Sequence, residues 1–355
     1  MIVNGIDTKD ISVVVQGAVD KINTPKCLES IRKFLPGAEI VLSTWEGTDV
    51  TGLDADVVVK NEDPCVPNYN FLVGRTIPVN INRQLVSVQE GLKKCTRRYS
   101  LKLRTDFYLR NSDFINFYAS YEKRGEDYIF FTHRVIISSL FSRRFSDENG
   151  FPTPYHPSDF FLFGLTDDLR DYFLGTENDE DDDSYHYKFP DRKCYFNMTG
   201  RYSPEQYYCV EWIKRHGVTM DFEDFTCWTL EKLKHSDAIL FNNFIFLDPN
   251  QAGIWSDKHD YGLRNFAHNY GIINNALFNS EYKKRYDAGF VNNYTTVRGG
   301  GNLPTSPKNL PDKQESTRKE RYRVLKFILR PVRPLVRFFL KRPLGLLRRF
   351  WDWCG

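Results

Sequence analysis

The chain has 355 residues, 41% of them hydrophobic and 27% charged, with a formal net charge of +3. That composition excludes wholesale disorder and any fibrous or collagen-like build, and the length suits one large domain or two modest ones at about 150 residues each. The charge is unevenly placed: residues 318–355 hold twelve Lys/Arg against Glu320 and Asp352, while the rest carries 37 basic and 44 acidic residues. An acidic body with a basic tail excludes a nucleic-acid binder whose positive charge spreads over a folded face, and leaves the tail to meet an anionic surface.

Aromatics are frequent, at 28 Phe, 20 Tyr and 6 Trp, and most are expected in the core. The seven cysteines include no CxxC pair, so neither a zinc cluster nor a disulfide framework is suggested. The start, MIVNGIDTKDISVVVQGAV, places charges before its apolar run and offers no small-residue cleavage site. No apolar run approaches the roughly 18 residues of a spanning helix. These features predict a cytoplasmic protein, in which the sequons at Asn197 and Asn293 are chance matches.

Ile11–Gln16 is a short β-branched run ending at Gly17 and reads as a buried strand. Thr24-Pro25 predicts a helix start, Leu28, Ile31, Phe34 and Leu35 share one helical face, and Pro36-Gly37 stops it. Glu39–Ser43 and Asp56–Lys60 read as strands. Asn80–Cys95 reads as a helix through Ile81, Leu85, Val88 and Leu92, and Tyr99–Arg104 as a strand alternating by two. This succession predicts an α/β layer with a mainly parallel sheet, whose ligands sit beyond the carboxyl ends of the strands. Gln16-Gly17, Ser43–Glu46 and Arg104–Asp106 would then converge.

Further on, Tyr128–Thr132 and Asp159–Phe163 read as strands, with the Pro-rich stretch Phe151–Asp159 as a rigid loop between them. Glu177–Asp183 reads as a solvated acidic loop, and Ser203-Pro204-Glu205 starts a helix running to His216-Gly217. Val297–Lys313 is a Gly/Pro/Lys linker.

Asp106 ends an apolar strand, where a carboxylate either holds a divalent cation or caps a turn. Arg104, on the same side, is placed to contact a phosphate or to pair with Asp106. Arg83 is a phosphate or ribose contact, or else solvated. Asp159 and His156 are general-base candidates on their loop, against a reading of local Asx and Ser hydrogen bonds. Glu205 is either a base for an acceptor hydroxyl or a helix-capping carboxylate. His259 is a lone candidate metal ligand, and Gly299–Gly301 lacks the spacing of a phosphate cradle. The tail interleaves Phe327, Phe339, Phe350, Trp351 and Trp353 with its arginines, a basic amphipathic pattern suited to an anionic membrane or to a partner helix.

Seven segments in order resemble the WavE lipopolysaccharide-synthesis family of glycosyltransferases: ISVVVQGAV, CLESIRKFLPGAEIVLSTWEGTD, VVVKNEDP, NINRQLVSVQEGLKKC, YSLKLRTDFYL, HPSDFFLFG and RYSPEQYY. The resemblance runs from about Ile11 to Trp212 and weakly on to about Tyr261; the basic tail lies outside it. It implies a GT-A-like single α/β domain with a Rossmann-like N-terminal half. By that similarity Gln16 and Gly17 border the nucleotide, Arg83 approaches the diphosphate, Asp106 matches the last acid of a metal-binding DxD motif, and Asp159 and Glu205 flank the acceptor. The first acid of that motif is replaced by Arg104, which leaves Mn or Mg dependence open.

The expected organisation is a glycosyltransferase domain over 8–290, a linker over 291–317 and a membrane-binding tail over 318–355. The expected activity is transfer of a sugar from a nucleotide sugar to a lipid-linked glycan, peripheral on the inner face of the cell membrane. A sugar nucleotidyltransferase and a non-catalytic membrane-surface scaffold are the alternatives.

Overall fold

A computed structural model describes residues 1–64, 68–70, 76–78, 80–145, 152–179, 202–224, 227–264, 266 and 271–291. Residues 180–183 of the acidic run, nearly all of the linker and the whole basic tail lie outside the described residues. Seven strands form the central sheet: β1 (Ile11–Gln16), β2 (Glu39–Trp45), β3 (Val57–Asn61), β4 (Tyr99–Arg104), β5 (Val135–Ser138), β6 (Phe161–Leu165) and β7 (Phe244–Leu247). Their order across the sheet is β7-β5-β6-β4-β1-β2-β3. Only β6 runs against its neighbours; the remaining pairs are parallel. The mixed α/β fold with a mainly parallel sheet agrees with the alternation of predicted strands and helices.

Every residue of β1 is buried, as expected of a central parallel strand covered on both faces. Helix α2 (Ile81–Lys94) packs on β1 and β2 and turns Ile81, Leu85, Val88 and Leu92 inward. Gly91 permits the approach: a Cβ there would lie 2.4 Å from Val14 Cγ1. Helix α1 (Asn23–Phe34) starts before the predicted Thr24. Asp20 Oδ1 accepts from the N–H groups of Ile22 and Asn23, and Thr24 Oγ1 accepts from the N–H of Asp20. The remaining long helices are α3 (Thr166–Phe173), α4 (Pro204–Arg215), α5 (Leu230–Asn243) and α6 (Asn275–Arg285).

Two expectations need correction. Tyr128–Thr132 is not a strand. Asn243 Oδ1 takes the N–H groups of Phe130 and Phe131, Asp168 takes those of Thr132 and His133, and Tyr128 sits at φ 57°. With the N–H groups of Phe130, Phe131 and Thr132 bound by side chains, the second half of the segment has no donor left for a ladder. The Pro-rich stretch, read as a loop, instead forms a strand over Pro152–His156 that pairs with Arg143–Phe145. Its prolines fit because a two-stranded ribbon leaves one edge without ladder bonds. Among the described residues, no helix is long and apolar enough to cross a membrane.

The reversed strand decides which loops share an edge of the sheet. Because β6 is antiparallel to β4, with Phe161 opposite Leu103, its beginning lies at the carboxyl end of β4. The loop His156–Phe160 is thereby delivered to the same edge as Gln16 and Asp106.

Candidate active site

Strand order reverses between β1, whose chain continues to β2 and β3 on one side, and β4 on the other. At such a switch point the connections diverge and leave room for a ligand. Gln16 lies opposite Arg104 in the register, which sets Gly17 beside Thr105. Gly17 has φ +121°, and a Cβ there would lie 3.2 Å from Thr105 Oγ1, so glycine suits both the backbone and the space. Thr105 donates its N–H to Gln16 O and its hydroxyl to Ala18 O at 3.1 and 2.7 Å. The Gln16 side chain is buried, its Oε1 accepting from Ser87 Oγ at 2.6 Å. Gln16 thus ties β1 to α2, and Gly17 is the residue of the pair at the strand end.

Asp106 gathers positive charge. Its Oδ1 accepts from Arg104 Nε at 3.0 Å, and its Oδ2 from Arg104 Nη2 at 2.8 Å and Lys258 Nζ at 3.1 Å. His259 Nε2 faces Oδ2 at 3.7 Å. Burial works against the charge, but the His259 ring, Arg104 and Lys258 outweigh it and hold the Asp106 carboxyl well below the usual carboxylate range. Lys258 and His259 arrive on the turn after the strand Ile254–Trp255. That turn is held by Asp257, which pairs with Lys26 of α1 at 2.8 Å and accepts from Tyr108 Oη at 3.3 Å. Phe107 and Phe160 form the floor: their rings stack at 5.2 Å, His259 stacks on Phe107 at 5.3 Å, and the Arg104 guanidinium lies 4.9 Å over Phe160.

Mg²⁺ and Mn²⁺ in nucleotide sites commonly take one or two protein ligands and complete their shell with phosphate oxygens and water. Among the described residues there is no cluster of three or more candidate ligands. His259 Nε2, however, is buried without a hydrogen-bond partner among the described residues and faces Asp106. That pair is what the chain would offer a cation whose remaining ligands came from substrate, with Arg104 and Lys258 already on the Asp106 oxygens.

Arg83 leaves α2 to make a bidentate pair with Asp63 just beyond β3, at 2.7 and 2.5 Å. Arg83 is a third exposed. Asn61, at the end of β3, donates to Ser43 Oγ and Thr44 O at 2.9 and 2.8 Å. It fastens the Ser43–Glu46 segment at the carboxyl edge.

A second cluster lies behind the loop before β6. Lys102, in the middle of β4, is 2% exposed; its Nζ donates to the main-chain oxygen of Asp159 and lies 3.8 Å from Asp159 Oδ2. Asp159 Oδ2 has no hydrogen-bond partner among the described residues. Glu205 Oε2 lies 3.8 Å from His156 Nε2. Ser203 caps α4 by accepting from the Gln206 N–H, and Gln206 Oε1 accepts in return from the Ser203 N–H. The capping role considered for Glu205 therefore falls to Ser203. Burial, then the like charge of Asp159, pushes the Glu205 carboxyl up to about 7. Burial likewise brings Lys102 down to about 8 and His156 down to about 3.

The structure thus brings Gly17, Arg104 and Asp106 together at the switch point, and Asp159 with Glu205 and His156 in the second cluster. Arg83 stands apart, on Asp63. Sequence reasoning missed Lys102 and Lys258. A lysine within the apolar alternation of Tyr99–Arg104 was the available signal for the first; the second is brought to Asp106 by tertiary folding across 152 positions.

Site and fold together define an α/β protein with polar and charged groups collected at the carboxyl edge of its sheet. The chain belongs to the WavE lipopolysaccharide synthesis family, whose model matches residues 11–297, and the family implies a transferase role in lipopolysaccharide synthesis. No curated protein matches the sequence. Among solved structures, 4-diphosphocytidyl-2C-methyl-D-erythritol synthase from Anaerococcus prevotii is similar at 12% identity and a TM-score of 0.30, covering 59% of this chain and 100% of that one. A likeness this loose carries no argument about the reaction.

Proposed function

We propose that this protein is a GT-A-type glycosyltransferase that moves a sugar from a nucleotide-sugar donor to a hydroxyl of a lipid-linked glycan in lipopolysaccharide or surface-polysaccharide synthesis. The observation that carries the reading is the pairing of two acidic centres at one sheet edge: Asp106 is surrounded by cations, whereas Glu205 is held near neutrality. A departing nucleoside diphosphate needs the first environment and an attacking hydroxyl needs the second.

In this mechanism Gly17 gives the nucleotide close access to the end of β1, and Arg83 reaches the diphosphate from α2. Asp106 and His259 would hold a divalent cation, which supplies further neutralisation of the leaving phosphate. Arg104 and Lys258 add their own positive charge there. The acceptor hydroxyl oxygen bonds to the anomeric carbon as the bond from that carbon to the phosphate oxygen breaks. The hydroxyl proton passes to the Asp159–Glu205 pair, and the electron pair leaves with the nucleoside diphosphate. The segment 318–355 holds the enzyme at the anionic inner face of the cell membrane, each basic residue adding about 1 kcal/mol near anionic lipid.

Thermal unfolding with UDP, GDP or CMP, with and without Mn²⁺ or Mg²⁺, tests the reading. A ligand at about 100 times its Kd stabilises by about 2.7 kcal/mol. One nucleotide should stabilise the wild type in a cation-dependent manner, and Asp106→Ala should lose both that effect and sugar transfer while remaining folded. The absence of any nucleotide effect on the wild type would remove the transferase reading and favour a scaffold, which would feel only deletion of residues 318–355. Release of pyrophosphate from a nucleoside triphosphate would replace it with a nucleotidyltransferase.

A further inference from the structure

The second cluster holds two carboxylates and one buried ammonium group, and the three are not equivalently placed. Lys102 touches Asp159 twice, through the main-chain oxygen and through Oδ2 at 3.8 Å. Glu205 has its ionic neighbour in His156, at 3.8 Å. His156 is kept neutral by burial and by Arg143. Two ionised carboxylates with, among the described residues, a single contacting cation, in a place nearly closed to water, cannot both be stable near neutrality.

Accepting the transferase reading, we infer that Lys102 is a positioning residue that divides the work of the acid pair: it pairs with Asp159 and so leaves Glu205 as the group that takes the acceptor proton. The other groups facing the pair support this division. Tyr172 of α3 is kept as a neutral phenol by burial, reinforced by Asp159 and Glu205. Arg143, on the ribbon beside the cluster, gives Glu205 a positive influence smaller than the negative one from Asp159. Arg104, two residues beyond Lys102 on β4, is engaged by Asp106. Among the described residues Lys102 is therefore the cation in contact with the pair, and its contact is with Asp159.

The test is a carboxyl titration of the full chain carrying ¹³C-labelled Asp and Glu side chains, followed by NMR from pH 5 to 9. Asp159→Asn and Glu205→Gln assign the two resonances. In the wild type Glu205 should titrate inside this window. In Lys102→Met the Glu205 midpoint should fall by about one pH unit or more, as expected when the partner carboxylate competes for the proton. Lys102→Arg should restore the wild-type pattern.

Should Lys102→Met fail to fold, Asp159→Asn carries the same decision, because loss of the neighbouring negative charge should lower the Glu205 midpoint by about one unit. A Glu205 midpoint indifferent to both substitutions would overturn the assignment. A lysine with a merely structural role would lower the melting temperature and leave the titration in place. The measurement uses neither donor nor acceptor, so a protein with this titration that transfers no sugar would refute the transferase reading alone.

Discussion

Asp106 and Glu205 carry the same functional group, and the fold treats them in opposite ways. Around Asp106, Arg104 donates to both carboxylate oxygens and Lys258 to one of them, and the His259 ring nitrogen stands 3.7 Å away. Around Glu205 the nearest ionic partner is a neutral imidazole, and Asp159 adds a like charge. One carboxyl is thus fixed as an anion, while the other is poised to exchange a proton near neutral pH. The role of an acid at a sheet edge is therefore set less by its own burial than by which cations the neighbouring elements bring to it.

The largest effect that would break this contrast is on turnover. Glu205→Gln should reduce sugar transfer by about 10²–10⁴-fold, the range for loss of a general base. It should also remove the fall in rate as pH drops through about 7, while nucleotide-induced stabilisation is retained. Loss of nucleotide binding in this variant would show that the two centres are not separate.

A smaller effect sharpens the contrast through stability. The folded-state value of Glu205 lies above its ordinary value of 4.5, at about 7, so the stability it contributes is present below about 4.5 and lost as pH rises to about 7. His156 works the other way: its depressed value, about 3 against 6.5, makes stability rise with pH across that interval. Urea unfolding of wild type and Glu205→Gln between pH 4 and 8 separates the two. The wild type should lose stability relative to the variant as pH rises, and parallel curves would contradict the raised value.

The smallest effect concerns Arg83. Its pair with Asp63 is part-exposed on both sides, where ion pairs contribute about 0–1 kcal/mol. Arg83→Ala should cost less than about 1 kcal/mol in urea unfolding yet weaken nucleotide stabilisation severalfold. Equal nucleotide affinity in the variant would detach Arg83 from the donor side.

The central-sheet strands of the first 104 residues were readable because they are short β-branched or alternating runs, and α2 because it repeats its apolar residues at helical spacing; the short outer strands Ile2–Val3, Ile6–Asp7, Asn68–Asn70 and Thr76–Pro78 carry no such signal. The convergence of Gly17 and Asp106 followed from that order of elements. Later strands were harder. Phe244–Leu247 follows Leu230–Asn243 with no intervening residue, so no turn marks the change from helix to strand. Tyr128–Thr132 has strand-like composition, but the N–H groups of Phe130, Phe131 and Thr132 are captured by Asn243 and Asp168, residues distant in sequence. Lys102 was hidden for a related reason. A lysine in an alternating strand reads as solvent-facing until a covered sheet and the loop before β6 enclose it.

Lys102 and Arg104 share one face of β4, and each serves a different carboxylate. Side chains alternate along a strand, so a one-residue slip of β4 against β1 would turn both cations to the opposite face at once. The two halves of the site are therefore inherited together. An insertion or deletion within Tyr99–Arg104 disarms both, and alignment of this strand alone can sort relatives that keep the complete arrangement from those that have lost it.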